Sequence, residues 1–338
     1  MTLRSAVVAP GTGRITLALL AVIPAAMAYP WPSVNDRWLL GIAAVVVILL
    51  LGQWRGLHFT TYLRRQLAML RPGRQLDRGS PTDVRTTALL RVNAPANEPD
   101  ALPLPLVAGY LDCYGIRADA IRITSRDTAS KTGTRQRETW IGLTMSAADN
   151  LAALQARSAQ IPLHKTAEVA VRRLAGHLRE KGWTAVTAEP DDIPTLFAPS
   201  ARETWRGVWE GSAGYVAAYQ VRADAELSRI LAAIQSHRAR ETWTALEIAG
   251  AAGIRTLAVA CALRTDNRPD LTAPLPGLTP QRGNHRPALM ALDPLSAQRL
   301  DGHTELPAGL LEQLRWPAAT IVRVSASRGP RHAAAARN

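Results

Sequence analysis

Cysteine is nearly absent: Cys113 and Cys261 are the only two in 338 residues. Two thiols so far apart make neither a disulfide framework nor a metal cluster, and they read as buried thiols in a reducing compartment. Lysine is scarce as well. It occurs only at Lys131, Lys165 and Lys181, so nearly all of the 40 basic residues are arginine. The phosphate loop G-x-x-x-x-G-K-[ST] is missing, as is a G-x-G-x-x-G after a strand, which removes the commonest nucleotide signatures. H-E-x-x-H and G-x-S-x-G are also missing, and with them the strongest cues for a zinc protease and a serine hydrolase. No cofactor and no metal are expected.

What is present begins with charge. A net charge of +13 makes an anionic partner plausible, whether membrane lipid, nucleic acid or an acidic protein face. The arginines are spread along the whole chain without an aromatic-and-basic RNA signature or zinc-finger spacing, so no specific nucleic acid is expected.

Two stretches near the start carry no charge, Ile15–Val34 and Trp38–Trp54. Each is near the lower limit of about 17–25 residues for a spanning helix. Trp31, Trp38 and Trp54 stand at their ends, where interfacial aromatic anchors belong. The reading is a transmembrane hairpin, with helices at about 15–32 and 38–54 in a segment covering 1–56. A cleaved signal peptide ending near Ala26-Met27-Ala28 is the rival for the first stretch, and the second stretch argues against it. Arginines cluster on both outer flanks of the hairpin, which places both termini in the cytoplasm of a multi-pass protein of the bacterial inner (plasma) membrane.

The sequence LHFTTYLRRQLAMLRPG follows. Phe59, Leu63, Leu67 and Leu70 recur on one face of a predicted helix that Pro72-Gly73 stops. This basic amphipathic helix and linker, 57–82, has two readings. Arg64 and Arg65 rest on lipid headgroups, or the apolar stripe docks on a partner.

The remainder reads as an α+β domain at 83–324, followed by a basic tail at 325–338 expected to be disordered. Strands are expected at 84–93, 119–127 and 137–145, with LPLVAGYLDCYG (104–115) as a helix. A short helix from Asp149 and a long one at 164–182 precede a strand at 183–189. A second unit starts near 213 with a strand, a helix at 224–237 and a hairpin of 240–250 with 254–265. The two β-α-β-β series point to related halves, about 83–190 and 202–324, on one sheet or two adjacent sheets.

The string RETW occurs at 137–140, 202–205 and 240–243. The spacing excludes a tandem repeat. In an extended chain Thr139, Ile141, Leu143 and Met145 share one face, and Trp140 lies on the other; Trp243 lies likewise opposite Thr242 and Ile248. Each tryptophan is either covered by a helix on that second face or an exposed anchor for a partner subunit.

Other polar residues invite chemistry without committing to it. His177 and Glu180 read as a solvated pair, Asp191-Asp192 as solvated loop acids, and Asp224 and Glu226 as the acidic start of a helix. Gln281-Arg282-Gly283-Asn284-His285-Arg286 is either an anion site or part of a strap stiffened by Pro280, Pro287 and Pro294.

The segments LPLVAGYLDCYGIRADAIRIT, DNLAALQARSAQIPL, HLREKGWTAV, ETWTALEI and GLTPQRGNHRPAL carry a resemblance. With the hairpin and the arginine-rich helix, the chain resembles the EccE membrane component of the mycobacterial ESX, or type VII, secretion machinery. It looks closest to the branch serving the system linked to iron and zinc homeostasis. The resemblance implies a non-enzymatic subunit of an inner-membrane complex with EccB, EccC and EccD, and contact with the associated mycosin protease. It implies no catalytic residue. A membrane-tethered enzyme and a membrane-tethered nucleic-acid binder are the alternatives.

Overall fold

The computed structural model describes residues 85–94, 101–129, 134–156, 162–251, 254–316 and 322–323, with isolated positions before residue 75. The chain divides into two compact units, Met1–Arg74 and Gln75–Asn338. In the first, Leu20, Val22, Ile23, Met27, Trp38, Ile42, Ala44 and Gln66 are helical. Gln53–Trp54 pairs antiparallel with Leu57–His58. This corrects the expected helices at their junction: Trp54 does not end one, and Leu57 and His58 do not begin another. Gly52 and Gly56 flank Trp54, and each disfavours a helix interior by about 1 kcal/mol. The rest of the expected spans lies outside the described residues, as do Phe59, Leu63, Arg64, Arg65, Leu67, Leu70 and the tail from 325. Among the described residues no helix is long and apolar enough to cross a membrane.

The second unit is built on one antiparallel sheet. Its strands are β1 (Arg85–Asn93), β2 (Ala120–Ala129), β3 (Thr134–Ser146), β4 (Thr184–Thr187), β5 (Arg202–Thr204), β6 (Gly207–Trp209), β7 (Tyr215–Val221), β8 (Glu241–Ala251), β9 (Ile254–Thr265), β10 (Leu278–Pro280), β11 (Thr304–Glu305) and β12 (Val322–Arg323). Across the sheet the order is β4-β1-β3-β2-β8-β9-β7-β6-β5. β10, β11 and β12 pair at the margins with β7, β9 and β3.

The order contains a repetition. β4-β1-β3-β2 is the arrangement of a split β-α-β unit, and β10-β7-β9-β8 places the strands of the second series in the same relation. The two series meet where β2 pairs with β8 from Ala120 opposite Ala249 to Thr128 opposite Glu241.

Helices α1 (Leu104–Gly109), α2 (Leu151–Gln155), α3 (Leu163–Glu180), α4 (Leu227–Ser236), α5 (His285–Leu292) and α6 (Leu310–Gln313) cover the sheet unevenly. α3 buries Ala167, Val171, Leu174 and Leu178, a stripe at helical spacing, against β1, β3 and β4. α4 buries Leu227, Ile230, Leu231 and Ile234. These stripes join Ile121, Ile123, Ile141, Leu143, Met145, Leu246 and Ile248 in one core layer. On the opposite sheet face Trp140, Trp243, Val208 and Ala262 pack under α5 and under Ile193, Leu196 and Leu300. Alternate strand residues thus feed opposite layers, as the pleat requires.

The expected helix over 104–115 is shorter than its sequence implies. It stops at Gly109, and Asp112–Cys113 and Ile116–Arg117 form a small hairpin. Tyr114 (φ 58) and Gly115 (φ 70) make its turn, both left-handed. Glycine suits that geometry, whereas tyrosine adopts it against its own Cβ.

Candidate functional site

The charged and aromatic groups singled out from the RETW strings converge on the α5 face of the sheet. Trp140 and Trp243 stack on each other with ring centroids 5.8 Å apart and 13° between planes. They are 0% and 2% exposed, so neither ring is a surface anchor of this unit, which corrects that reading. The cover is α5 together with the segments around Ile193, Leu196 and Leu300, rather than a helix alone. The Trp243 indole donates to Glu241 at 3.1 Å, and the Arg126 guanidinium lies 5.6 Å over its ring.

The glutamates of two copies sit in a row of alternating charge. Arg91 of β1 pairs with Glu138 of β3 at 2.7 Å, and Glu138 pairs with Arg126 of β2 at 3.2 Å. Arg126 reaches Glu241 of β8 at 2.5 Å, Glu241 meets Arg264 of β9 at 2.6 Å, and Arg264 also binds Glu210. Burial alone would raise the Glu241 carboxyl, but hydrogen bonds and charge from Arg126 and Arg264 hold it below its ordinary value. Burial would lower Arg264, but hydrogen bonds and charge from Glu241 and Glu210 outweigh it and raise its pKa. Two of the three copies therefore supply a bridging carboxylate and, one residue beyond the threonine, a face-filling indole, whereas Glu203 of the copy at 202–205 accepts from the Arg286 amide.

A second charged node lies further along the same strands. Arg122 of β2 and Glu247 of β8 are buried together, with Arg122 Nε donating to Glu247 at 3.0 Å. Arg122 also donates to the carbonyls of Asp293, Ser296 and Gln298, pinning the strap after α5 to the sheet. His303 Nε2 lies 2.9 Å from Glu247, and its Nδ1 lies 3.0 Å from the Thr256 hydroxyl. Burial works to raise the Glu247 carboxyl, but His303 and Arg122 hold it lower than usual. Hydroxyl, imidazole and carboxylate in series resemble a nucleophile's setting. However, the Thr256 hydroxyl donates to the Ala249 carbonyl at 3.2 Å, within its own hairpin.

Other sequence candidates stand apart from these nodes. Asp191 and Asp192 are exposed in a short turn, where Asp192 accepts from the Glu189 backbone at 3.0 Å. Asp224 and Glu226 pair with Arg222 just before α4. His177 is not simply solvated: its Nδ1 is 2.8 Å from the Tyr110 hydroxyl, whose pKa is pushed up to about 12, mainly by burial. His285 is buried at the start of α5 and accepts from the Ala218 amide at 3.1 Å. Arg286 donates to the carbonyls of Ala201 and Pro199, and Arg282 to that of Leu271. Segment 281–286 thus ties the strap down, with these guanidiniums donating to backbone carbonyls.

Sequence reasoning missed the pair Asp119 and Asp149. Burial, then a hydrogen bond with Asp149, raises Asp119 against the lowering influence of Arg85, 3.0 Å away. Among the described residues no group of three or more histidine, cysteine or acidic side chains is arranged to hold a metal.

Comparison with known proteins adds what the geometry does not. A family model described as "Putative type VII ESX secretion system translocon, EccE" matches residues 134–221. The chain is 60% identical over 314 residues to the ESX-3 secretion system protein EccE3 of Mycobacterium tuberculosis (strain CDC 1551 / Oshkosh), covering 92% of this chain and 93% of that one. A second strain of that organism gives 59% over the same length. The protein of the same description from Mycolicibacterium smegmatis is 52% identical over 293 residues, 86% of this chain and 90% of its own.

Proposed function

Since the chain belongs to the EccE family, as its near-full-length relatives show, we propose that it is a structural subunit of the ESX-3 type VII secretion system. That is the branch linked to iron and zinc homeostasis. The observation that carries the reading is 60% identity over 92% of the chain. The subunit works without catalysis of its own. In support, the polar groups most suggestive of chemistry are engaged in holding the sheet and its strap: Thr256 on Ala249, Arg122 on three carbonyls, Glu241 between two arginines. The partners are EccB, EccC and EccD, with the mycosin protease as an associated protein.

The first unit is the membrane anchor, a hairpin with both termini in the cytoplasm. The apolar side chains of Leu20, Ile23, Met27, Trp38 and Ile42 are helical yet 53–81% exposed, a surface that calls for lipid or protein cover. Phe59, Leu63, Leu67 and Leu70 form a docking stripe beyond it, with Arg64 and Arg65 toward headgroups.

The test is removal and replacement. A deletion strain should lose ESX-3 secretion, and the native chain should restore it and co-purify with EccB, EccC and EccD. Variants Asp191→Ala, Asp192→Ala, Asp224→Ala and His303→Gln should each restore secretion. If one of them abolished secretion while the complex stayed intact, the non-enzymatic reading would fail.

A further inference from the structure

An open cleft of about 200 Å³ lies between the 112–117 hairpin and the first half of α3. Its floor is carbon-rich, with Tyr110, Ile116 and Met145 nearly buried beneath it. Its walls are Val169 of α3 and the ring of Tyr114, which are 41% and 55% exposed. Two exposed cations stand over it, Lys165 and Arg173. Among the described residues no acidic side chain lines it.

The electrostatics there differ from those of the paired arginines on the sheet. Arg91, Arg126, Arg137 and Arg264 are matched by carboxylates. Lys165 and Arg173 make no ion pair among the described residues; Arg173 instead lies 4.5 Å over the Tyr114 ring. The first turn of α3 has neither an acidic residue nor a side-chain cap, so the positive end of its dipole adds to the two cations. Tyr114 is also the one non-glycine residue with positive φ among those described. A strained aromatic at a hairpin tip, exposed and cation-stacked, is the kind of feature that persists at binding sites.

We propose that this cleft captures a segment of a partner protein in which one apolar side chain is flanked by carboxylates. Its volume suits a single large side chain, not an extended acyl chain. Lys165 and Arg173 are separated by eight positions, about 12 Å along a helix rising 1.5 Å per residue. Carboxylates two residues to either side of the anchor span that distance in an extended segment, at about 3.3 Å per residue. Tyr114 and Val169 grip the anchor, and the rim cations read the acids. The proposal rests on the chain being a subunit of a larger complex, and it names the chemistry of one contact in that complex.

The experiment places the photo-crosslinker p-benzoylphenylalanine at Val169 of the full chain, in cells that assemble the complex. Irradiation should yield an adduct to a protein segment with an apolar residue between aspartates or glutamates. Lys165→Glu with Arg173→Glu should lower the adduct yield about tenfold, a scale typical of reversed charges at a contact, with the fold retained because both side chains are exposed. Changing the acids of the captured segment to lysine should then restore the yield. An adduct only with lipid, an adduct with a segment lacking carboxylates, or a yield insensitive to the charge reversal would overturn the proposal. So would an intact complex with no adduct. Failure of the unaltered chain to co-purify with the complex would instead remove the subunit reading itself.

Discussion

Gly142 shows how a single position governs the α5 face. It lies in β3, and a Cβ built there falls 2.5 Å from the carbonyl oxygen of Pro294 in the strap. Backbone does not rotate aside as a side chain does, so Gly142→Ala must displace the strap that Arg122 holds. The expected cost is about 1–3 kcal/mol, typical of overpacking, read as a lower melting temperature. Gly176 is the control. Its Cβ meets nothing within 4 Å near the C-terminal end of α3, still within the helix, so Gly176→Ala should stabilise by about 0.5–1 kcal/mol. Glu247 gives a second prediction at this scale. Its folded pKa is depressed, so the stabilisation it contributes is complete above the ordinary carboxylate range and is lost as pH falls through its folded value. Removing its charge also strands Arg122 in the interior. Glu247→Gln should therefore cost about 3–5 kcal/mol at pH 7, the scale of breaking a buried ion pair, with the gap to the native chain narrowing below about pH 4. Equal acid sensitivity of the two proteins in denaturant melts would contradict the assignment.

Among the elements, those with strong periodicity were legible in the letters. Ile141, Leu143 and Met145 alternate with Trp140, and the α3 and α4 stripes repeat at helical spacing, so β3, α3 and α4 followed directly. The strands β5, β6 and β10, of three residues each, offer too little alternation to be read. The charge row was invisible for another reason. Arg126 and Glu241 are 115 positions apart, and only the pairing of β2 with β8 brings them together. The cleft was hidden because 104–115 reads as one helix, while a turn at Tyr114-Gly115 breaks it. For the stripe Phe59, Leu63, Leu67 and Leu70 a test follows from the same periodicity. Leu63→Asp with Leu67→Asp sets two charges on a face proposed to be covered, at a cost of several kcal/mol, roughly, if they are buried unpaired. Recovery of the chain with EccB, EccC and EccD should fall sharply. Arg64→Gln with Arg65→Gln should lower it less. Equal recovery for both pairs would remove the docking role.

For the whole molecule, the placement of charge decides the orientation on which the secretion role depends. Arg55, Arg64, Arg65, Arg71, Arg74 and Arg78 follow the second apolar stretch, against Arg37 alone in the turn between the two. In the proposed hairpin, arginine-rich flanks stay on the cytoplasmic side during insertion, which would put the second unit there and the turn outside. The thiols are suited to a labelling test. Cys261 is fully buried and its pKa is raised by that burial, which leaves it inert, and Cys113 lies half-buried at the cleft. Cys261→Ala and Cys113→Ser remove both without placing a hydroxyl in the core. A single thiol then goes to the tail as Ser327→Cys or to the turn as Asn35→Cys. A membrane-impermeant maleimide should leave the Ser327→Cys protein unlabelled in cells stripped to the inner membrane, and label it once that membrane is opened. The Asn35→Cys protein should label in both conditions. Labelling of Ser327→Cys from outside closed cells would mean that the first stretch is a cleaved signal or the hairpin is inverted. The second unit would then lie on the wrong side of the membrane to act as a cytoplasmic subunit.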